Sequence, residues 1–262
     1  MSSSNATHAD PELPPDARLV EPEIRCEIHD GELVHVPPAD ELHGTRHSKI
    51  SALVEAHAAS DFDVASDMLT RTSATNDVAP DVSVFPYARD PKTGGRQLEQ
   101  LAFEVVSTES LSHAGHKAAK LVARGVRRVF AIDVERARAL EWSSTLGTWS
   151  VLDTSAHIED PTLAAPLPIE ALVRAAKADD AMARALVAKR NPVIEAVRAE
   201  GKLEGLAEGR AESLIVMLEA RDVALGSADR ARILGERDPA ILARWTARAA
   251  TCQDVVEMFG GA

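Results

Sequence analysis

Aromatic residues are scarce in this chain: one tyrosine, five phenylalanines and three tryptophans make up 3% of 262 residues. A core without many large rings must be built from Ala, Val, Leu and Ile, and the 45% hydrophobic content is enough to build one. Cysteine is scarcer still. Cys26 and Cys252 lie far apart and match neither a metal-binding nor a redox spacing, which argues against a disulfide scaffold and suits a reducing compartment. No run approaches the roughly 20 apolar residues of a membrane-spanning helix. The opening "MSSSNATHADPELPPDARLVEPE" lacks both the apolar centre of a secretion signal and the basic amphipathic character of a transit peptide. A soluble, cytoplasmic protein without membrane association is expected.

Positive charge is short as well. Lys and Arg number 29 against 41 Asp and Glu, a net charge of −12. Sequence-independent coating of nucleic acid needs a positive face, so this balance argues against it while leaving room for a local basic cleft. The imbalance is uneven: residues 1–153 hold 15 basic and 24 acidic side chains, the remainder 14 and 17.

Three regions follow from the pattern. Residues 1–22 are rich in Ser, Pro and Asp and read as a disordered leader. Residues 23–153 mix strands and helices. "IRCEI", His29-Asp30-Gly31 and "ELVHV" read as a hairpin, because Asp-Gly supplies the positive φ of a tight turn. A helix over 40–59 follows, with Asp40 as N-cap and Leu42, Ile50, Leu53 and Val54 at helical spacing. "FDVASDMLT", "PDVSVF" (80–85) and "LAFEVV" (101–106) read as strands, and "DPKTGG" as a hairpin loop. Ser107–Ser110 offers caps to a helix over 111–124 that ends at Gly125. "VRRVFAID" (126–133) is a further strand, and 137–142 with 147–152 a hairpin in which Trp142 faces Trp149. Helix, three strands, helix, strand make an α/β layer.

Residues 154–262 read as a helical tail: helices over 168–189, 193–222, 227–235 and 238–258, with a break at Asn191-Pro192 and Trp245 as an anchor. "EGKLEGLAEGRAE" (200–212) places Gly201, Gly205 and Gly209 on one face. Each interior glycine costs a helix about 1 kcal/mol relative to alanine. The stripe therefore suggests close helix–helix contact, in a homodimer, with another protein partner or by docking the tail on the first domain, against the blander reading of a solvated linker helix.

One residue breaks the strand pattern. Glu104 lies inside "LAFEVV", where an ionised carboxylate is costly unless paired or bound to metal. Asp81 heads the "PDVSVF" segment. Lys117, Lys120 and Arg124 are spaced by three and four residues and share a helix face. If the strands carrying Asp81 and Glu104 are neighbours, two carboxylates and a lysine meet at one edge of a sheet. That set suits Mg²⁺ or Mn²⁺, hard ions that take carboxylate and carbonyl oxygen, here with the carbonyl of Val105. The structural alternative is that Asp81 caps a turn and Glu104 pairs with Lys117 or Arg127. His43 and His47, four apart, lack the intervening Glu of a zincin and read as surface histidines.

"APD" (79–81), "FEVVS" (103–107), "HKAAKLVARGVRRVFAID" (116–133) and "CEIHDGELVHVPPADELHG" (26–44) together resemble the Uma2-like (DUF820) group of the PD-(D/E)XK nuclease superfamily. The resemblance covers about residues 23–152. It implies a restriction-endonuclease-like mixed sheet flanked by helices, and endonucleolytic hydrolysis of DNA. Carried over by position, Asp81 and Glu104 become metal ligands and Lys117 the catalytic lysine, and His43 matches a histidine often present at the first helix. His43 is expected to contact nucleic acid, and Lys120 and Arg124, on the helix face of Lys117, are expected as second-tier phosphate contacts. The lysine usual two residues after the acid is Val106 here; the group displaces it to the following helix, where Lys117 stands. "EGKLEGLAEGRAE" and "ILARWTARAATCQDVVEMF" are similar to the tail of Rpn-type, transposase-associated proteins of the same superfamily. A catalytically silent nuclease fold, working in binding or assembly through its tail, is the competing expectation.

Overall fold

Asp30 and Gly31 both take positive φ, 55° and 89°, the backbone of a two-residue hairpin turn. They join β1 (Cys26–His29) to β2 (Glu32–His35) in antiparallel register. The computed structural model describes residues 13–21, 25–107, 111–174 and 177–260. It divides into two compact units, residues 1–189 and 190–262.

In the first unit, α1 (Glu41–His57) begins where expected, because the Asp40 side chain accepts the His43 N–H. Its buried face is Ile50, Leu53 and Val54. Five strands follow, not three: β3 (Phe62–Ser66), β4 (Thr70–Ser73), β5 (Asn76–Val78), β6 (Val82–Pro86) and β7 (Leu101–Val106). Sequence pattern hides β4 and β5 because "TRTSATNDV" is polar and has no apolar alternation. These two strands join the opening hairpin in an antiparallel sheet ordered β2-β1-β5-β4.

The larger sheet is completed by β8 (Arg128–Asp133), β9 (Arg138–Ser143) and β10 (Thr148–Val151), in the order β10-β9-β8-β7-β6-β3. Only β7 and β8 run parallel, joined by the crossover helix α2 (Leu111–Arg124), which ends at Gly125 with φ 118°. Trp142 and Trp149 pair across β9 and β10, ring centroids 5.1 Å apart. Of the expected caps, Ser107 donates to Asp40 Oδ2 at 3.2 Å, and residues 108–110 lie outside the described residues.

Both faces of β7 are covered. Leu101, Phe103 and Val105 join the α1 side, where Phe103 stacks on Phe130 at 5.1 Å. Ala102 packs with Ala118 and Leu121 of α2, and Val106 with Ala114. Strand alternation puts Glu104 on that second face, toward α2.

Residues 157–188 read from their composition as the start of the tail, yet they pack into the sheet unit. β11 (His157–Ile158) pairs with β12 (Leu167–Pro168), and α3 (Ile169–Val173) and α4 (Ala178–Ala188) replace the single helix expected over 168–189. Ile158, Leu167, Ile169 and Leu172 enter the same core as Leu53 and Phe103. Residues 13–21, read as part of a disordered leader, are held by specific bonds: Arg71 N–H to Pro15 O, Arg96 N–H to Asp16 Oδ2, and Leu19 N–H to Asp77 Oδ2. The rest of that leader, up to residue 12 and at residue 22, lies outside the described residues.

The second unit is helical. Asn191 caps α5 (Pro192–Ala220), with Pro192 in its first turn. α6 (Ser227–Gly235), α7 (Pro239–Ala249) and α8 (Val255–Phe259) follow. The helix expected over 238–258 is two, because Asp254 accepts the Glu257 N–H and restarts it. Leu214, Leu218, Ile233, Leu242 and Trp245 form its core, with Trp245 set edge-on to Phe259. No described atom lies within 4 Å of a Cβ built on Gly201, Gly205 or Gly209, so the glycine stripe is open.

Candidate active site

The site grows from strand register. β6 and β7 pair antiparallel with Val82 opposite Phe103, so the next position outward sets Asp81 opposite Glu104. The Val105 N–H donates to Asp81 Oδ2 at 2.5 Å, fixing the aspartate across the strand gap. Glu104, from the face turned to α2, meets Lys117 with Oε2 2.9 Å from Nζ. The three residues that the sequence singles out therefore converge. Arg127, the other partner considered for Glu104, pairs with Asp160 instead.

Sequence reasoning passed over a fourth participant. Glu27, on β1 of the smaller sheet, lies 3.3 Å from Lys117 Nζ and is 4% exposed. Its Oε1 accepts the Ala79 N–H, and its Oε2 lies 2.7 Å from His29 Nε2. Lys117 also donates to the Ala79 carbonyl at 2.7 Å. In an alternating hairpin strand a lone glutamate reads as solvent-facing, and no local signal says that Lys117 of α2 and the Ala79 N–H lie against it.

Histidines surround Asp81. His43 Nε2 is 3.6 Å from Asp81 Oδ1, and His47 Nε2 is 2.5 Å from the Asp81 carbonyl oxygen and 3.9 Å from Asp67 Oδ1. Neither is the surface residue the sequence suggested; their four-residue spacing on α1 turns both toward the start of β6. His47, Asp67 and Asp81 can each offer one ligand atom within 4.8 Å of the others, a geometry able to hold a metal ion.

The other nominated contacts sit further along α2. Lys120 Nζ lies 3.1 Å from Asp30 Oδ2 and 3.3 Å from His29 Nδ1. Arg124 donates to the backbone oxygens of Arg71 and Leu13, so it ties the N-terminal segment to the smaller sheet.

Three carboxylates facing one ammonium leave an excess of negative charge. Burial, then the neighbouring charges of Asp81 and Glu27, push the Glu104 carboxyl well above the usual range, against the pull of Lys117. Burial also raises Asp81, but His43, Lys117 and the Val105 N–H outweigh it and hold the group below its ordinary value. Burial lowers Lys117, but Glu104, Glu27 and Asp81 more than reverse it, so the amine stays a cation.

Glu104 Oε1 is buried and has no hydrogen-bond partner among the described residues. A buried carboxylate oxygen with nothing to accept from is expensive. Beside Asp81, it is what a divalent cation would satisfy, and the oxygen-rich donor set fits Mg²⁺ or Mn²⁺.

Comparison with known proteins adds a relationship to this geometry. A family model, Uma2, described as "Putative restriction endonuclease", matches residues 12–174. Among solved structures the chain is similar to a "putative nuclease belonging to DUF820" from Anabaena variabilis, with 16% identity and a TM-score of 0.50, over 59% of this chain and 93% of that one. That likeness concerns the fold. A comparison with curated proteins finds no match.

Proposed function

Because the chain belongs to the Uma2 family, we propose that Asp81, Glu104 and Lys117 form the centre of a metal-dependent endonuclease hydrolysing phosphodiester bonds in DNA. The observation that carries this reading is Asp81, just before β6 and bonded to the Val105 N–H, beside a Glu104 with one buried oxygen unsatisfied and a lysine 2.9 Å from the other.

Asp81 and Glu104, with the Val105 carbonyl, would hold Mg²⁺ or Mn²⁺. Such an ion supplies Lewis acidity to a phosphoryl oxygen and lowers the pKa of water. Lys117 is cationic, so it donates: it orients the attacking water and offsets charge gathering on the phosphate. His43 Nε2 lies 3.6 Å from Asp81 Oδ1, where a protonated imidazole would steady the carboxylate. His43 and Lys120 are the proposed phosphate contacts nearest the catalytic group; Arg124, a turn beyond Lys120, is third in that series and spends its guanidinium on backbone oxygens.

The test is cleavage of supercoiled plasmid with Mn²⁺ or Mg²⁺ by the wild type and by Asp81→Ala and Glu104→Gln. Nicking that needs metal and disappears in both folded variants supports the reading; metal-independent nicking, or nicking retained in both, overturns it.

The second reading, a silent nuclease fold acting through its tail, draws on Val193, Val197, Leu203 and Leu206, which stay exposed along α5. It expects association, measured by sedimentation, to survive Asp81→Ala and fail when those four residues become polar.

A further inference from the structure

The Lys117 ammonium has three hydrogens and three partners: Ala79 O at 2.7 Å, Glu104 Oε2 at 2.9 Å and Glu27 Oε1 at 3.3 Å. A metal-dependent centre asks Glu104 to turn its oxygens to a cation, which takes the nearer carboxylate from the lysine. We propose that Glu27 is the positioning residue of Lys117, a second carboxylate from the other sheet that keeps the ammonium in place when Glu104 is engaged elsewhere. Its purpose rests on the nuclease reading above.

Glu27 is built for a fixed position. Ala79 donates its N–H to Glu27 Oε1 at 3.2 Å while its carbonyl accepts from Lys117. Glu27 Oε1, the Ala79 peptide groups and Lys117 Nζ thus close a ring of polar contacts. Ala79 lies two residues before Asp81, so the ring sets the ammonium by the same backbone that carries the aspartate. The other oxygen, Oε2, is held by His29, whose Nδ1 meets Lys120 at 3.3 Å. Burial raises Glu27, but Lys117, His29 and the Ala79 N–H lower it further, so it stays ionised. Without Glu27, an ammonium released by Glu104 would keep a backbone carbonyl and the more distant charge of Asp81 but no carboxylate in ion-pair contact, a poor state for a buried charge.

The decisive measurement is the rate at which Lys117 is acetylated in the full-length protein by acetic anhydride, read by peptide mass spectrometry. Glu104→Gln stands in for a Glu104 withdrawn from the lysine, so no metal is required. The expected result is slow labelling in wild type and in Glu104→Gln. In Glu27→Gln/Glu104→Gln it should be at least about tenfold faster, since losing a close opposite charge is worth about one pKa unit or more. Equal labelling of Glu104→Gln and the double variant would overturn the proposal, as would a double variant as slow as wild type. If circular dichroism shows the double variant unfolded, Glu27→Gln labelled with and without Mn²⁺ makes the same comparison.

Turnover separates charge from shape. Glu27→Gln should lower kcat by about 100-fold, the cost of a catalytic group misplaced by about an ångström. KM and Mn²⁺ affinity should stay unchanged, and Glu27→Asp should recover part of the loss. A mere hydrogen-bonding spacer would show the reverse order, the isosteric Gln active and Asp inactive, and that would overturn the proposal. If wild type neither binds Mn²⁺ nor cuts DNA, the nuclease reading fails while the labelling comparison still decides the role of Glu27.

Discussion

Glu104 shows how one side chain can be understood only through its partners. Its strand is buried on both faces, and its own carboxyl is raised by that burial. What makes it tolerable is Lys117 on one oxygen; the other oxygen, which has no described partner, is the one proposed to face a cation. Asp81→Ala and Glu104→Gln should each abolish the calorimetric heat of Mn²⁺ binding while leaving the circular dichroism spectrum unchanged. Lys117→Met should act on stability instead. It leaves Glu27, Asp81 and Glu104 without their shared cation and should cost about 3 kcal/mol in urea unfolding. A third residue predicts a pH effect away from the site. His57 is buried at the end of α1 with Nδ1 2.8 Å from the Leu53 carbonyl, and burial lowers its pKa from the ordinary 6.5. The folded state therefore binds this proton less readily than the unfolded chain. The stabilising contribution is full above pH 6.5 and is lost as pH falls, by up to about 1.4 kcal/mol per unit. Denaturant melts of wild type and His57→Gln between pH 7.5 and 5 should show the steeper decline in wild type.

At the scale of elements, α2 and α5 differ in how close their neighbours come. A Cβ on Gly115 of α2 would lie 3.0 Å from the Trp142 ring and 3.3 Å from Trp149. Gly115→Ala should therefore destabilise by about 1–3 kcal/mol as the half-buried rings are forced aside, measurable as a lower Tm. Gly205 of α5 meets nothing within 4 Å. Gly205→Ala should stabilise α5 by about 0.5–1 kcal/mol through helix propensity alone. If the stripe is instead a contact between copies, the same substitution weakens association in sedimentation. Periodicity and capping predicted the long elements well: Asp40 starts α1, Gly125 ends α2 and Asn191-Pro192 starts α5. The elements they missed are short and polar. β4 and β5 carry no apolar alternation, and the break before α8 depends on one Asp254 side chain.

At the scale of the whole molecule, the site and the tail separate cleanly in sequence. Glu27, Asp81, Glu104 and Lys117 all belong to the unit of residues 1–189, and the family match spans 12–174. Residues 190–262 have their own core around Leu214, Leu242 and Trp245. A chain ending at Lys189 should keep Mn²⁺ binding within about twofold, and residues 190–262 expressed alone should remain helical by circular dichroism. Net charge of −12 fits no general affinity for nucleic acid. Under the proposed nuclease reading, substrate contact would come from local cations such as Lys117 and Lys120, and from His43 when protonated. No helix among the described residues is long and apolar enough to cross a membrane.

Local order along the chain determined much of this protein. Asp-Gly dictated a hairpin, a glutamate inside an apolar strand marked a special position, and lysines three apart declared a helix face. Those signals work because turn geometry, strand alternation and helical spacing act over a few residues. The tertiary structure alone decided which distant groups share one space. Pairing of β6 with β7 set Asp81 against Glu104, and the smaller sheet brought Glu27 from 90 residues upstream of Lys117. It also turned His43 and His47 from an exposed-looking pair into neighbours of Asp81. Such meetings depend on strand register and on contacts between separate sheets and helices, and neither is encoded in the periodicity of any one segment.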